Sequence, residues 1–247
     1  MASETPHSNG EQQLSDERNV QLYEAPEMVD RYDKHGGDGH LLERERYLVE
    51  EHFGDAGGRV LDIGCGTGRT TRPLSDMGFD VVGVDVSEEM VKRARTRHPG
   101  IRFEVDDATD LRHDDGSFDH VLFSYYGLDS IVPEESRTRA VAEIFRVLRP
   151  GGTFAFNSHN LWYVLPALVS DFRYVREYYL RNGNLRRLFS RYKRDPDELG
   201  LDLYQGSPRR TRRQLRAAGF EVVETVGKRD GPLAAFEIRH DYVARKP

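Results

Sequence analysis

The sequence lacks features that several protein classes require. Among its 247 residues there is one cysteine, so neither an intrachain disulfide nor a cage of thiolate ligands can form, and we expect no metal. No run approaches the roughly 18 to 20 consecutive apolar residues that a membrane-spanning helix needs. Residues 1–19 also lack the apolar centre of a secretory signal. These absences predict a cytoplasmic protein with no membrane partner.

Lysine is scarce as well, with 5 residues against 31 arginines, and the charges are unevenly spread. Residues 161–216 carry 13 basic and 6 acidic side chains, a net charge of +7, which leaves −13 for the rest of the chain because the total is −6. This stretch is interpreted as a cap suited to an acidic small molecule, as a surface for nucleic-acid phosphates, or as a solvated face. Because the acidic body would repel a polyanion, we do not expect nucleic acid as a partner.

What the sequence does contain is a regular alternation of apolar and amphipathic runs. The polar residues 1–19 predict a disordered tail, and a helical pattern follows at 41–53. The alternation then predicts five buried strands, at 59–64, 80–86, 101–105, 120–124 and 152–158. Short connections between them indicate a doubly wound, mostly parallel α/β sheet. Further runs at 221–227 and 235–244 bring the predicted sheet to seven strands.

Residues 20–247 are predicted to form a single domain. Within it, residues 161–205 are mostly helical, rich in arginine and tyrosine, and longer than a connection between strands requires. They predict a helical cap inserted after strand 5. Open α/β sheets bind ligands at the carboxyl ends of their strands, where the strand order reverses, so we expect the site at that edge.

The strongest motif is Gly64-Cys65-Gly66-Thr67-Gly68, which follows the first strand. Glycines there allow positive φ angles and let a ligand approach the backbone. A dinucleotide site has G-x-G-x-x-G, but the third glycine of that pattern would fall at Arg69, and no Gly-Lys-Ser/Thr of a triphosphate loop follows. Asp85, 21 positions after Gly64, can bind the hydroxyls of a ribose, and Asp107 follows the third strand, where it can meet an adenine amino group. The pattern indicates a site that binds an adenosine group and does not need a phosphate on its ligand.

Five segments carry these features in order: VLDIGCGTG, VVGVDVS, VDDA, FDHVLFS and LRPGGTFAF. They resemble the successive motifs of class I S-adenosylmethionine-dependent methyltransferases over about 59–157. The resemblance implies a Rossmann-like methyltransferase fold, S-adenosylmethionine as cofactor and S-adenosylhomocysteine as product. It also implies that residues 20–58 form an N-terminal cover and first helix over the cofactor.

Carried over position by position, the resemblance implies a set of cofactor-binding residues: Tyr32, Asp62, Gly64, Cys65, Gly66, Gly68, Asp85, Val86, Met90, Asp107, Ala108 and Ser124. The glycine turn would line the amino-acid portion of the cofactor, and Asp62 would orient both that turn and the cofactor's amino group. Tyr32 is the candidate from the cover. Asp106, beside Asp107, is expected to be solvated.

Methyl transfer from a sulfonium is an in-line displacement that depends mainly on positioning in a dry site, so no conventional triad is needed. A hydroxyl acceptor benefits from a general base, and His159 is the candidate, with Tyr125 as a second catalytic residue. Tyr126 and Trp162 are candidates for the acceptor wall, with ordinary packing as the alternative. A histidine bonded to the backbone is the alternative for His159.

We therefore predict an enzyme that methylates a nitrogen or oxygen of a small molecule. The alternatives are RNA or protein methylation and a cofactor-binding protein without an acceptor site. The glycine spacing disfavours nicotinamide-dependent oxidoreduction. The sequence leaves the oligomeric state open.

Overall fold

The computed structural model describes residues 9–36, 38–54, 56–181, 184–187, 191–195, 199–227 and 235–247. The strands are β1 (Arg59–Ile63), β2 (Asp80–Asp85), β3 (Arg102–Val105), β4 (Phe118–Phe123), β5 (Leu148–His159), β6 (Tyr192–Arg194), β7 (Asp202–Tyr204), β8 (Glu221–Val226) and β9 (Arg239–Arg245). The helices are α1 (Asn9–Glu24), α2 (Pro26–Gly36), α3 (Glu43–His52), α4 (Thr71–Asp76), α5 (Glu88–Arg97), α6 (Gly127–Ser130), α7 (Glu134–Val147), α8 (Val164–Ser170), α9 (Phe172–Val175) and α10 (Pro208–Ala217).

Seven strands form one sheet in the order β3-β2-β1-β4-β5-β9-β8. The first five are parallel, and β9 runs antiparallel to both β5 and β8. At the centre, Leu61 of β1 lies opposite Val82 of β2 and Val121 of β4. The predicted doubly wound fold is confirmed, and its strand order reverses between β1 and β4, where a ligand crevice is expected.

The central strands are apolar on both faces because helices cover both sides of the sheet. Leu61 and Ile63 of β1 point into one core, which α7 and α10 close with residues such as Ile144 and Leu215. Val60 points into the second core, which α3 and α4 close. A parallel sheet sandwiched in this way exposes its strand ends, and these ends carry the site.

The start of α5 follows the sequence signal. Ser87 is the N-cap, and its Oγ accepts a hydrogen bond from the backbone N–H of Met90 at 3.2 Å. Glu88 and Glu89 occupy the first turn, where negative charge favours the helix dipole. This cap fixes the direction in which β2 passes into α5, and with it the position of the residues between them.

The first helix differs from the predicted tail, which extends to residue 19. In the structure α1 already begins at Asn9, and its second half is tied to the insert. Asn19 is buried, donates to the backbone carbonyls of Ser130 and Asp202 at 2.8 Å each, and accepts from the Asp202 N–H at 3.0 Å. Ser130 and Asp202 lie more than 100 positions from Asn19 in the sequence, so no local pattern indicates that this end of α1 is held in place.

The insert over 161–205 also differs in part from the prediction. It begins with helical turns, as expected, but ends in a two-stranded antiparallel sheet of β6 and β7. Leu201 and Leu203 of this hairpin region pack with Met28 and Val29 of α2 and with Met90. The insert therefore braces the N-terminal cover.

Candidate active site

A cavity of about 890 Å³ opens at the carboxyl ends of β1 and β2. The glycine turn and the ends of β2 and β3 form one side, α6 and the start of α7 form another, and α1 and α2 cover it. Eight of the predicted cofactor residues line this cavity: Tyr32, Gly64, Gly66, Asp85, Val86, Met90, Asp107 and Ala108. The other four, Asp62, Cys65, Gly68 and Ser124, lie outside the lining.

The glycines of the turn serve different purposes. Gly66 has a φ of +53°, and a Cβ placed on it would meet no atom of the chain within 4 Å, so its backbone is open to a ligand. Gly68 has a φ of +99°, and a Cβ there would lie 2.5 Å from Cδ2 of His98. Gly68 is thus required by packing, whereas Gly66 provides access.

Cys65 faces the interior, where it packs with Val91, Ala94 and Phe103. Burial raises the pKa of its thiol well above the usual value. The side chain is therefore a small neutral packing group at neutral pH. It does not reach the cavity lining.

Asp62, the last residue but one of β1, is fully buried. One carboxylate oxygen, Oδ2, accepts hydrogen bonds from the hydroxyls of Thr70 and Thr71, both at 2.7 Å. The other oxygen, Oδ1, is buried and has no hydrogen-bond partner among the described residues. Burial raises the pKa of Asp62 to about 6.

Asp85 joins the end of β2 to the glycine turn. Its Oδ2 accepts from the N–H of Gly66 at 2.8 Å and its Oδ1 from the N–H of Ser87 at 2.9 Å. Burial raises the pKa of its carboxyl, opposed by these hydrogen bonds. Both oxygens retain acceptor capacity, since a carboxylate can accept about four hydrogen bonds.

Of the two carboxylates after β3, Asp107 is exposed and Asp106 is buried. Both line the cavity. The expectation that Asp106 is solvated is wrong, because its carboxylate accepts hydrogen bonds from the backbone and side chain of Arg112. One carboxylate oxygen of Asp107, Oδ1, accepts a hydrogen bond from the backbone N–H of Thr109 at 2.7 Å.

A buried ion pair that the sequence did not reveal lies behind the glycine turn. Arg69 donates to both carboxylate oxygens of Glu45 at 2.7 Å, and the same carboxylate accepts from the hydroxyl of Ser124. These contacts lower the pKa of Glu45 although its burial acts to raise it. The cluster links α3, the glycine turn and the end of β4, and it explains why Ser124 faces a structural cluster and not the cavity.

A row of aromatic rings runs from the cavity to the end of β5. Tyr32 has its ring centroid 6.2 Å from Tyr23, which also lines the cavity, and 6.0 Å from Tyr125. Tyr125 lies 5.8 Å from Tyr126, and Tyr126 stacks on His159 at 3.9 Å. Tyr125 and Tyr126 have φ angles of +49° and +62°, a region that L residues rarely occupy and that is concentrated at functional sites.

His159 is held by Asp129, a residue to which the sequence assigned no role. Oδ2 of Asp129 accepts from the backbone N–H of His159 at 2.7 Å and lies 3.0 Å from its Nδ1. Oδ1 accepts from Arg137 at 2.9 Å and from the hydroxyl of Ser158 at 2.7 Å. Asp129 and Arg137 are 0% and 1% exposed, so this is a buried ion pair.

Comparison with known proteins identifies the family. A family model described as a methyltransferase domain matches residues 60–152. The 27-O-demethylrifamycin SV methyltransferase of Amycolatopsis mediterranei is 30% identical over 199 residues, which make up 70% of this chain and 71% of that protein. The chain belongs to the class I S-adenosylmethionine-dependent methyltransferases.

Two further matches show what this methyltransferase shares with others. A demethylmenaquinone methyltransferase of Renibacterium salmoninarum is 43% identical over 110 residues, covering 44% of this chain and 45% of that relative, so less than half of that relative's length is matched. The CcbJ methyltransferase of Streptomyces caelestis superimposes with a TM-score of 0.68 at 21% identity, over 92% of this chain and 98% of that one. At this identity, the match with the CcbJ methyltransferase shows a shared fold only.

The cavity of this methyltransferase fits S-adenosylmethionine. The open backbone at Gly66 leaves room for the amino-acid portion. Asp62 is outside the lining but lies two positions before Gly64, which is part of it, and its unpartnered Oδ1 is an acceptor suited to an ammonium group. Asp85 has spare acceptor capacity at the place where ribose hydroxyls are bound in related folds. These carboxylate acceptors thus suit a nucleoside that carries a positive charge.

The four residues predicted for the acceptor side all lie outside the lining of the cavity. Tyr125 and Tyr126 continue the aromatic row but are outside the lining, as is His159. Trp162 is outside it too, with its ring 6.2 Å from that of Phe236 and the guanidinium of Arg209 5.8 Å above it. The interpretation of Trp162 as an acceptor wall is not supported by this placement, because the ring packs against the chain itself.

Proposed function

We propose that this methyltransferase transfers the methyl group of S-adenosylmethionine to a nitrogen or oxygen of a small molecule bound in the same cavity. The observation that carries the proposal is the cover. Tyr23 and Tyr32 of α1 and α2 line the cavity, and Asn19 fastens α1 to the insert. A ligand enclosed in this way must be small, since a folded RNA or protein would have to displace the cover.

In this proposal the residues around the glycine turn bind the cofactor. Asp85 holds the ribose, Val86 and Met90 contact the adenine, and Asp107 with Ala108 meets its amino group. Gly64 and Gly66 adjoin the amino-acid portion, whose ammonium binds Asp62. S-adenosylmethionine supplies an already activated methyl group on sulfur, so the chain's main task is alignment and exclusion of water.

For a hydroxyl acceptor we propose His159 as the general base. Because His159 lies outside the cavity lining, at the far end of the aromatic row, this role applies to an acceptor that extends along Tyr125 and Tyr126 toward the end of β5. Asp129 already accepts from Arg137 and Ser158, and an ionised carboxylate has no proton to give, so Nδ1 of His159 carries the hydrogen and donates it. Nε2 is then left as the proton acceptor. Asp129 acts as a positioning residue that selects this tautomer.

The charge of the cavity favours a neutral or basic acceptor. Its lining includes five acidic residues, namely Glu17, Asp85, Asp106, Asp107 and Glu135, against one basic residue, Arg139. No described residue of 161–216 lines it. The described part of 161–216 therefore does not supply the positive site for an acidic acceptor that the sequence suggested, and we infer an amine or a phenol-like hydroxyl instead.

The test is methyl transfer from labelled S-adenosylmethionine to a panel of amines, phenols and carboxylates, with cofactor binding measured separately by calorimetry. We expect binding of S-adenosylhomocysteine and transfer to an amine or phenol. Absence of cofactor binding would overturn the proposal, and transfer to RNA or protein with steep salt dependence would replace it. Replacing His159→Ala should lower kcat for a hydroxyl acceptor by about 10²-fold and leave cofactor affinity unchanged.

If the acceptor is an amine, the same variant should keep its turnover, because a neutral amine needs no base. The pair of readouts therefore distinguishes oxygen from nitrogen as the methylated atom. A parallel loss of kcat and of cofactor affinity would contradict the assigned role of His159, since it would indicate a damaged site.

A further inference from the structure

Helices α8 and α9 of the insert present an apolar surface to solvent. Leu165, Leu168, Val169 and Phe172 are 60%, 54%, 92% and 66% exposed, and we call these four residues the docking face. The sequence of α8, VLPALVS, contains no charged side chain. Exposed apolar side chains are normal when scattered, but four within eight residues form a contiguous patch that marks an interaction site.

The contrast with α5 shows that the docking face is unusual for this chain. In α5 the buried side carries Met90, Val91 and Ala94, and the exposed side carries charged residues such as Glu88 and Glu89. This is the ordinary pattern of a surface helix. In α8 the inner side is occupied by the buried Ala167, and the outer side is apolar as well.

The inner side of this region is already packed with buried aromatic side chains. Tyr174 stacks on Tyr178 with centroids 5.0 Å apart, and Tyr178 contacts Tyr179 at 5.2 Å. Tyr178 and Tyr179 are only 6% and 4% exposed. The docking face is therefore not a core-facing side of the insert that has been left exposed, because other side chains of the insert already fill the interior.

The charges beside the docking face are mainly positive. Between residues 161 and 187 the sequence has five arginines and two acidic residues, a net charge of +3. Arg173 is exposed next to Phe172, and the side chains of Arg176 and Arg181 are 55% and 72% exposed. Apolar side chains flanked by arginine are the combination that binds the interface of an anionic lipid bilayer.

A second copy of the chain fits this surface less well than a bilayer does. In a two-fold dimer each patch meets itself, which would bring the arginines of the two copies together. A bilayer with anionic headgroups offers an apolar layer beneath a negative surface, complementary to both features. The chain outside residues 161–216, with its net charge of −13, would be repelled, so the stretch 161–216 would face the lipid.

We propose that the docking face inserts into the surface of an anionic lipid bilayer and holds the enzyme there as a peripheral protein. None of the helices in the described part of the chain has the length and apolarity to cross a bilayer, so the contact is interfacial. This departs from the sequence-based expectation of no membrane partner. That expectation rested on the lack of long apolar runs, and a surface of four side chains needs none.

The experiment is flotation of the full chain with vesicles of phosphatidylcholine, with and without phosphatidylglycerol. We expect flotation with the anionic vesicles and binding at least about tenfold weaker to phosphatidylcholine alone, because each arginine near the surface contributes. The variants Val169→Asp and Phe172→Asp should each weaken binding about tenfold or more. Val223→Asp, at a 44% exposed apolar position on β8, is the matched control and should bind as the parent does.

Three results would overturn the proposal: no flotation of the parent chain with anionic vesicles, equal binding by Val169→Asp, or a dimer in light scattering that Val169→Asp dissociates. The last result would make the docking face a self-interface. Calorimetry with S-adenosylhomocysteine on each variant shows that the fold is intact. Since cofactor binding and methyl transfer are measured without vesicles, their failure and the failure of docking are separate outcomes.

Discussion

The cofactor side and the acceptor side of the cavity are built from contacts of very different sequence separation. On the cofactor side, Asp85 bonds to Gly66 and Ser87, which are 19 and 2 positions away. On the acceptor side, Asp129 bonds to His159, 30 positions away, and further out Asn19 bonds to Asp202, 183 positions away. The first side is a local unit of two strands and their turns, whereas the second exists only when the whole chain has folded.

The two sides should therefore respond differently to mutation. A change on the acceptor side removes a contact that holds distant segments together, so we expect it to reduce the free energy of unfolding. A change on the cofactor side disturbs one turn and should appear mainly as a loss of ligand affinity. The predictions below test this difference, beginning with the largest effect.

Replacing Asp129→Ala should lower the free energy of unfolding by about 3–5 kcal/mol, because it leaves the guanidinium of Arg137 buried without its partner. Urea denaturation measures this effect. The control is Glu177→Ala, which removes exposed ion pairs with Arg176 and Arg181 and should hardly move the midpoint. Equal midpoints for the two variants would show that the acceptor side does not depend on Asp129, which joins Arg137 of α7 to Ser158 and His159 at the end of β5, 29 and 30 positions away.

Replacing Asp85→Ala should weaken S-adenosylhomocysteine binding by at least about tenfold, since charge-assisted hydrogen bonds to the ribose and the tie to Gly66 are lost. Calorimetry gives the affinity, and urea denaturation should show a smaller change than for Asp129→Ala. Asp80→Ala, at the exposed opposite end of the same strand, is the control and should leave affinity unchanged. A large loss of stability without a loss of affinity would contradict the distinction between the two sides.

The same difference in sequence separation between contacting residues explains how much of the fold and of the site could be predicted from the sequence. The seven-stranded sheet and the glycine turn are recognisable because each strand and cap is specified by neighbouring residues, as Ser87 specifies the start of α5. The sequence does not show, however, which residues of one motif are buried and which are accessible to a ligand. Gly66 is open and Gly68 is packed against His98, although both belong to the same pattern.

Residues whose pairing depends on how helices pack gave no usable signal. Arg69 stands in the sequence only as the position where a dinucleotide motif would have a third glycine, and its partner Glu45 lies on α3, which precedes the first strand. Asp129 follows β4, but its pairing with Arg137 depends on how α6 packs against α7. The length and the arginine- and tyrosine-rich composition of residues 161–205 suggested a cap, and only the exposure of apolar side chains there revealed a second surface.

The smallest effect expected is a pH dependence of cofactor affinity that originates at Asp62. Burial raises the pKa of this carboxyl to about 6, so it loses its negative charge as the pH falls through that value. If the ionised form binds the ammonium group of the ligand, affinity for S-adenosylhomocysteine should fall about fourfold between pH 7.0 and pH 5.5. Calorimetry at a series of pH values measures the change.

The variant Asp62→Asn assigns the pH dependence to its source. It keeps an acceptor oxygen for Thr70 and Thr71 but has no charge to lose, so its affinity should be lower and flat over the same range. Two other carboxyls could imitate the effect, because burial raises the pKa of Asp241 to about 6 as well and also raises the pKa of Asp85. Asp241 lies on β9 and binds Arg44 of α3, 197 positions away, whereas Asp85 belongs to the cofactor side. A pH dependence that persists in Asp62→Asn and is lost in Asp241→Asn would therefore move the origin to the long-range contacts, against the local character proposed for cofactor binding.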